Sequence, residues 1–271
     1  MKLSEACSIL RKAGIESAKH DASEIFSEIG GVPRNEILLS DVATSDERVI
    51  RAIERRAERE PLQYIIGKAY FYDEVYEVNE NVLIPRSDTE ILVEYAVKNI
   101  PDGKRFLDLC TGSGCVGIST LKHTRTTSAV LVDISERALE VAKRNAGLNG
   151  VSDRAEFLLA DVMSEAADGD FYAVLSNPPY VKPEVYSELE AEIFHEPKIA
   201  FLGGEDGCDF YRELTRKYKD KISSDGFIAY EIGYDQADAL SQIAEKEGLF
   251  CKIIKDYSGN DRVAVLSKSE R

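Results

Sequence analysis

The sequence predicts an α/β protein: a mostly parallel seven-stranded sheet, preceded by a small helical domain and a β-hairpin linker. Three observations carry this reading. Beyond residue 100, short apolar runs alternate with amphipathic stretches of helical period, the pattern of a parallel sheet covered on both faces. Before residue 60, apolar residues recur at helical spacing. Between them, at 69–78, aromatic and β-branched residues surround Asp73-Glu74, as in a hairpin. With 271 residues the chain exceeds the ~100–200 of a common domain, so more than one folded part is expected. The parts are placed at 1–66 (helical), 67–85 (hairpin linker) and 86–271 (sheet).

Within the first part, Leu3, Ala6, Ile9 and Leu10 mark one helix, Gly14 and Gly30-Gly31 punctuate, and Val49, Ile50, Ile53 and Ala57 mark another. Arg48, Arg51, Arg55, Arg56 and Arg59 alternate with Glu47, Glu54, Glu58 and Glu60, which predicts a salt-bridged helix face rather than a phosphate-binding stripe. A further helix should begin near Ser87, where Glu90 three residues on has the spacing of a capping box. Strands are expected at 105–109, 129–132, 156–159, 172–176, 226–231, 252–255 and 262–266, and helices at 116–122, 135–148, 210–221 and 236–247. The irregular stretch 181–209 is long enough to face a substrate.

Composition narrows the function classes. Hydrophobic residues at 44% and charged residues at 31% describe an ordinary globular chain. A net charge of −15 weighs against holding a long nucleic-acid backbone, which lysine and arginine must neutralise. No apolar run nears the ~20 residues of a membrane span. The five cysteines are odd in number and widely spaced, and no histidine cluster accompanies them, so free thiols in a reducing cytoplasm are expected and no metal site.

Asp108-Leu109-Cys110-Thr111-Gly112-Ser113-Gly114 ends the first of these strands and opens a helix, where backbone can pass close to a ligand. Asp133 ends the second strand, where a carboxylate can accept both hydroxyls of a ribose. Asp161 follows the third, where it can accept from an adenine amino group. Three acids around a glycine loop describe a nucleoside pocket. Gly112, Gly114 and Gly117 have the Gly-x-Gly-x-x-Gly spacing, which by itself is weak evidence for any one ligand; S-adenosylmethionine, a nucleoside ligand without phosphate, is the expected one.

Asn177-Pro178-Pro179-Tyr180 follows the fourth strand directly. The prolines donate no hydrogen bond and hold the chain extended, so the Asn177 side chain and the Pro178 carbonyl can act as acceptors. That arrangement suits a planar NH2 group, an amide or aromatic amine, whose nitrogen is a poor nucleophile until both its hydrogens are held. Tyr180 is placed to stack on the planar group. No general base is assigned, because the proton becomes acidic only as the methyl arrives and water can take it. His195 reads as a packing or surface residue.

At this point the sequence resembles the release-factor glutamine methyltransferases, the PrmC or HemK family, over nearly its whole length. The resemblance is carried by Pro61-Leu62-Gln63-Tyr64-Ile65-Ile66-Gly67, Val82-Leu83-Ile84-Pro85-Arg86-Ser87-Asp88-Thr89-Glu90, the Asn-Pro-Pro-Tyr box, His195-Glu196-Pro197, Gly203-Gly204-Glu205-Asp206-Gly207, Tyr211-Arg212 and Glu231-Ile232-Gly233. It implies a Rossmann-like class I S-adenosylmethionine methyltransferase that methylates N5 of the glutamine in the Gly-Gly-Gln loop of peptide-chain release factors. It further implies an N-terminal domain that grips the release factor, Gly112 and Gly114 near the methionine part, and Asp133 at the ribose. Asp161 with Val162 would meet the adenine, Asn177 and Pro178 the glutamine amide, and Leu83 would line its slot. Asp108, Cys110, Thr111, Ser113 and Asn177 join the cofactor set, and Arg86 and Pro179 the substrate set. Departures are Cys110 for a usual glycine, Ser87 for a common proline, Val162 at an often aromatic place and His195 at an often tyrosine one. Methylation of a nucleic-acid amine (adenine N6 or guanine N2) and of a ribosomal-protein glutamine are the rival readings.

Overall fold

The computed structural model describes residues 1–125 and 127–270. By internal contacts the chain divides into two compact units, Met1–Lys68 with Glu190–Glu196, and Ala69–Leu189 with Pro197–Arg271.

The first unit holds α1 (Leu3–Lys12), α2 (Ala18–Glu28), α3 (Arg34–Leu39), α4 (Glu47–Ala57) and α5 (Leu62–Ile66). Leu3, Leu10, Ile25, Phe26, Val49 and Ile53 meet in its core, so the helical spacing read from the sequence becomes one shared apolar face. Asp46 caps α4 by accepting from the Arg48 N–H at 2.8 Å. The arginine stripe is salt-bridged as expected, with a division of partners the sequence did not disclose. Arg48, Arg51 and Arg55 pair at the surface with Asp46, Glu47 and Glu60. Arg56 is buried and donates to Asp21 at 2.7 Å and to Glu192 at 3.0 Å, while Arg59 reaches Glu192 at 2.7 Å.

The hairpin pairs β1 (Lys68–Phe71) with β2 (Glu74–Glu77). Its turn is Tyr72-Asp73, with φ of 49° and 68°, the positive values that a tight two-residue hairpin turn demands at both positions. Glu74 therefore begins a strand rather than sharing the turn; it is buried, and its carboxylate meets His123 Nε2 at 2.7 Å. The capping box expected at Ser87 does not form. Ser87–Thr89 is a 3-10 turn without a side-chain cap, leading into α6 (Glu90–Asn99), and Glu90 instead accepts from the Tyr72 N–H at 3.0 Å.

Seven strands make the sheet: β3 (Arg105–Leu109), β4 (Ser128–Asp133), β5 (Ala155–Leu159), β6 (Phe171–Ser176), β7 (Ile222–Glu231), β8 (Phe250–Lys255) and β9 (Asp261–Ser267). Their order is β5-β4-β3-β6-β7-β9-β8; β9 runs antiparallel to β7 and β8, and the remaining pairings are parallel. Strand order reverses between β3 and β6, the switch point at which ligands bind in open α/β sheets. Helices α7 (Cys115–Lys122), α8 (Glu136–Leu148), α9 (Pro183–Tyr186), α10 (Asp209–Tyr218) and α11 (Ala237–Lys246) fill the connections. Alternate residues of β3 feed two cores: Phe106 joins one with Leu131 and Leu175, Leu107 and Leu109 the other with Val130 and Val174. Among the described residues no helix is long and apolar enough to cross a membrane.

Candidate active site

A cavity with about 780 Å³ of empty space, part of it open to solvent, lies where the chain leaves the carboxyl ends of β3, β4, β5 and β6. Cys110 and Gly112 reach it after β3, Asp133 at the end of β4 with Ile134 just beyond, Asp161 and Val162 after β5, and Asn177 and Pro179 after β6. Val82 and Leu83 come from the segment before α6, and Pro197, Ile199 and Phe210 from 181–210.

Each acid has a structural tie as well as a place near the cavity. Asp133 accepts from Gly112 N–H and Ser135 N–H, both at 2.9 Å, so one carboxylate fixes the glycine loop and the start of α8. Burial raises its pKa. Asp161 accepts from Met163 N–H at 2.9 Å and Ser164 Oγ at 3.1 Å, holding its own turn. Asp108 is fully buried and does not line the cavity; its Oδ2 accepts from Thr111 Oγ1 at 2.5 Å and Gly117 N–H at 2.9 Å. Its other oxygen, Oδ1, has no hydrogen-bond partner, and burial pushes the carboxyl up to about 7.

The loop between β3 and α7 is held from both sides. Thr111 N–H donates to Val132 O at 3.0 Å, and Ser113 O accepts from Asn145 Nδ2 at 2.8 Å. Cys110 has φ +58°, a left-handed conformation that an L side chain adopts only under strain, which accounts physically for a glycine being usual there. Cys110 and Cys115 are free thiols; burial lifts both, Cys115 to about 12, so neither is a ready thiolate. Thr111, Ser113 and Gly114 shape the loop without lining the cavity.

The Asn-Pro-Pro-Tyr box is clamped on several sides. Ser176 Oγ donates to Leu109 O at 2.7 Å, tying the strand ends of β6 and β3 together. Asn177 Nδ2 donates to Thr89 Oγ1 at 3.3 Å. Pro178, between the lining residues Asn177 and Pro179, is buried. Tyr180 lies outside that wall; its hydroxyl donates to Glu231 Oε1 at 3.1 Å and its carbonyl accepts from Gln236 Nε2 at 3.2 Å. Val181 N–H donates to Phe201 O at 2.7 Å, and Gly203 N–H returns to Val181 O at 3.1 Å. A Cβ on Gly203 would stand 2.6 Å from Pro179 O and from Tyr180 Cα, so the Gly-Gly-x-Asp-Gly segment is the backing plate of the box. Asp206 and Arg212 close that segment with an ion pair, which holds the Asp206 carboxyl at about 2.

The structure thus gathers Leu83, Cys110, Gly112, Asp133, Asp161, Val162, Asn177 and Pro179 around one cavity. Asp108, Thr111, Ser113, Gly114, Pro178, Tyr180 and Arg86 stand outside its lining, and His195 is exposed at the end of a 3-10 turn in the helical unit. The sequence did not single out Thr89, Glu231 or Gln236, polar residues behind the box, although two of them fall in the segments quoted above. Ile134, exposed beside Asp133, was also missed; an apolar residue directly after a strand-end acid was the available signal. Among the described residues no group of three or more His, Cys, Asp or Glu could hold a metal ion.

Residues 2–67 match the family model for the PrmC N-terminal domain, and residues 87–201 match the methyltransferase small domain. A release factor glutamine methyltransferase of Thermodesulfovibrio yellowstonii is 37% identical over 259 residues, 92% of each chain. One from Caulobacter vibrioides is 36% identical over 264 residues, covering 94% of this chain and 91% of the relative. A ribosomal protein L11 methylase of Lactobacillus delbrueckii subsp. bulgaricus shares the fold at a TM-score of 0.53 and 18% identity, over 73% of this chain and 87% of the other. With its N-terminal helices, its sheet and its box all accounted for by these matches, the chain belongs to the release factor glutamine methyltransferase family.

Proposed function

We propose that this chain transfers a methyl group from S-adenosylmethionine to the side-chain N5 of the glutamine in the Gly-Gly-Gln loop of peptide-chain release factors. The observation that carries the reading is that Asn177 and Pro179 share one cavity with Asp133 and Asp161. A holder for an NH2 group and a holder for a nucleoside are therefore within reach of the same bound pair.

The residues fit the cofactor. Asp133 faces the ribose hydroxyls, and Asp161 with Val162, Ile134 and Phe210 offers the adenine an acceptor and apolar walls. Gly112 leaves open space on its Cβ side for the methionine portion. When bound, S-adenosylmethionine supplies an electrophilic methyl carbon on a sulfonium. With that cofactor in place the glutamine nitrogen would take the methyl, the S–C electron pair would leave with sulfur, and water would take the displaced amide proton.

The Asn177 Oδ1 and the Pro178 carbonyl accept from the two amide hydrogens, fixing the nitrogen and favouring the positive charge that builds on it. Leu83 lines the slot, Arg86 and Pro179 flank the substrate, and Tyr180 acts from behind through Glu231. The helical unit grips the release factor, and the reaction takes place in the cytoplasm. The test is mass spectrometry of a release factor co-expressed with this chain, beside assays on duplex DNA, ribosomal RNA and ribosomal protein. One added methyl on the Gly-Gly-Gln glutamine is expected; label on nucleic acid or ribosomal protein alone overturns the reading.

A further inference from the structure

Asn177 can hold a substrate amide steadily only if its own side chain is held. Its Nδ2 donates to Thr89 Oγ1 at 3.3 Å, so the place of the asparagine depends on the place of the threonine. Thr89 ends the 3-10 turn Ser87–Thr89, which has no side-chain cap and is closed by the Thr89 N–H on Arg86 O at 3.1 Å. A turn of three residues with one such bond is soft, because 3-10 hydrogen bonds are poorly aligned. Misplacing a substrate-holding group by ~1 Å is enough to cost much of the rate.

The turn is braced from late in the chain. Arg262, on β9, places Nη2 3.1 Å from Asp88 Oδ2 and 3.1 Å from Asp256 Oδ2, and its Nε lies 3.3 Å from that same Asp256 oxygen. Both supports of the arginine are fixed. Asp256 accepts from the Ser258 and Asn260 N–H groups, both at 2.9 Å, which builds it into the turn between β8 and β9. The Arg262 carbonyl accepts from the Ile232 N–H at 2.9 Å, just beyond β7. The guanidinium is planar and its donors point in set directions, so an arginine anchored at one carboxylate presents a defined position to the other. The same β8–β9 turn makes a second contact with this region, where the Tyr257 hydroxyl donates to Glu94 Oε1 of α6 at 2.8 Å. We propose that Arg262 is a positioning residue: by bridging Asp256 and Asp88 it holds the 3-10 turn, and through Thr89 the Asn177 amide, where a substrate NH2 is gripped. The proposal rests on the amide-methylating function above and deepens it.

Asp88→Asn removes one end of the bridge and leaves Arg262 its Asp256. The Asp88 side chain is 52% exposed, so the thermal midpoint and the affinity for S-adenosylhomocysteine should stay near wild type. At saturating acceptor kcat should fall about three- to fivefold, the most that an ion pair of this exposure holds in place. Arg262→Met, which keeps the stem, should lose at least as much, and Arg262→Lys should recover part of the loss by keeping the charge without the fork. The double variant of Asp88→Asn with Arg262→Met should be no slower than Arg262→Met alone, because the two residues act as one unit. An Asp88→Asn rate within about 1.5-fold of wild type, or single losses that multiply in the double variant, overturns the proposal. The ratios are taken on whichever acceptor the wild type labels, so the identity of that acceptor tests the function and the ratio tests the bridge. Crystals of wild type and Asp88→Asn with S-adenosylhomocysteine give a readout that needs no acceptor: Thr89 displaced from Asn177 supports the proposal, and the wild-type contact retained overturns it.

Discussion

The Gly117 N–H donates to Asp108 Oδ2 at 2.9 Å, and a Cβ at position 117 would stand 2.8 Å from that same oxygen. The first turn of α7 can lie this close to β3 only because residue 117 has no side chain. Gly117→Ala should therefore push helix from strand and destabilise the chain by roughly 1–3 kcal/mol, the cost of overpacking a tight core. Urea unfolding measures it; an unchanged midpoint would show that α7 shifts freely.

The buried Asp108 carboxyl, raised to about 7, binds its proton more tightly in the folded state than in the unfolded chain, where aspartate titrates near ~3.9. A raised group contributes stability that is fully present below the unfolded value and is lost as pH rises through the folded one. Wild-type stability should fall between about pH 4 and 7 relative to Asp108→Asn, which keeps an acceptor for Gly117 but does not titrate. Denaturation midpoints across that range decide, and parallel profiles for the two proteins would remove Asp108 as the cause.

Cys110→Gly relieves a left-handed residue that costs roughly 1–2 kcal/mol when it carries a side chain. Glycine gives back roughly 0.5–1 kcal/mol through the freer unfolded chain. The variant should be as stable as wild type or better, by up to ~1 kcal/mol. A clear loss in thermal midpoint would mean that packing of the thiol outweighs the strain.

Asp133→Ala removes the acceptor of two backbone N–H groups and a carboxylate from the cavity wall. Charged hydrogen bonds contribute ~1.5–3 kcal/mol each, so S-adenosylhomocysteine affinity should drop by at least about tenfold. Turnover at saturating cofactor should fall less. Isothermal titration calorimetry reads the first quantity, and unaltered binding would take Asp133 out of the cofactor site.

In the helical unit Arg56→Ala leaves the buried Asp21 carboxylate without its cation; the Arg56 and Asp21 side chains are 8% and 4% exposed. Breaking one partner of such a pair costs roughly 3–5 kcal/mol. Arg51→Ala, which breaks an exposed pair with Glu47, should cost at most ~1 kcal/mol. Equal losses in the two variants, measured by guanidinium unfolding of the full chain, would contradict the difference in burial.

How much of this was legible in the sequence depended on which interactions are local. The sheet strands could be read because each is an apolar run long enough to span a buried layer, as at Arg105–Leu109. The first half of β7, Ile222 to Asp225, was not, because Ser223-Ser224-Asp225-Gly226 carries turn residues and the strand there departs from regular register with β6. Glu90 looked like a capping residue since its role was judged from neighbours three positions away; the Tyr72 N–H that it meets lies eighteen residues earlier. Asp133 and Asn177 stood out by their places at strand ends. Thr89 and Glu231, which reach the box as partners of Asn177 and Tyr180 from far along the chain, had no local pattern to announce them.

Glu192 lies more than 130 positions beyond the arginines it serves, yet its carboxylate meets both Arg56 and Arg59 within the helical unit. The polypeptide that leaves the sheet after Leu189 thus lends seven residues to the helices before resuming at Pro197. A fragment cut at the family-model boundary, residues 2–67, would carry two guanidinium groups stripped of a shared counter-charge. The N-terminal helices are in this sense a discontinuous folding unit, completed only after the ribosome has synthesised about seven-tenths of the chain.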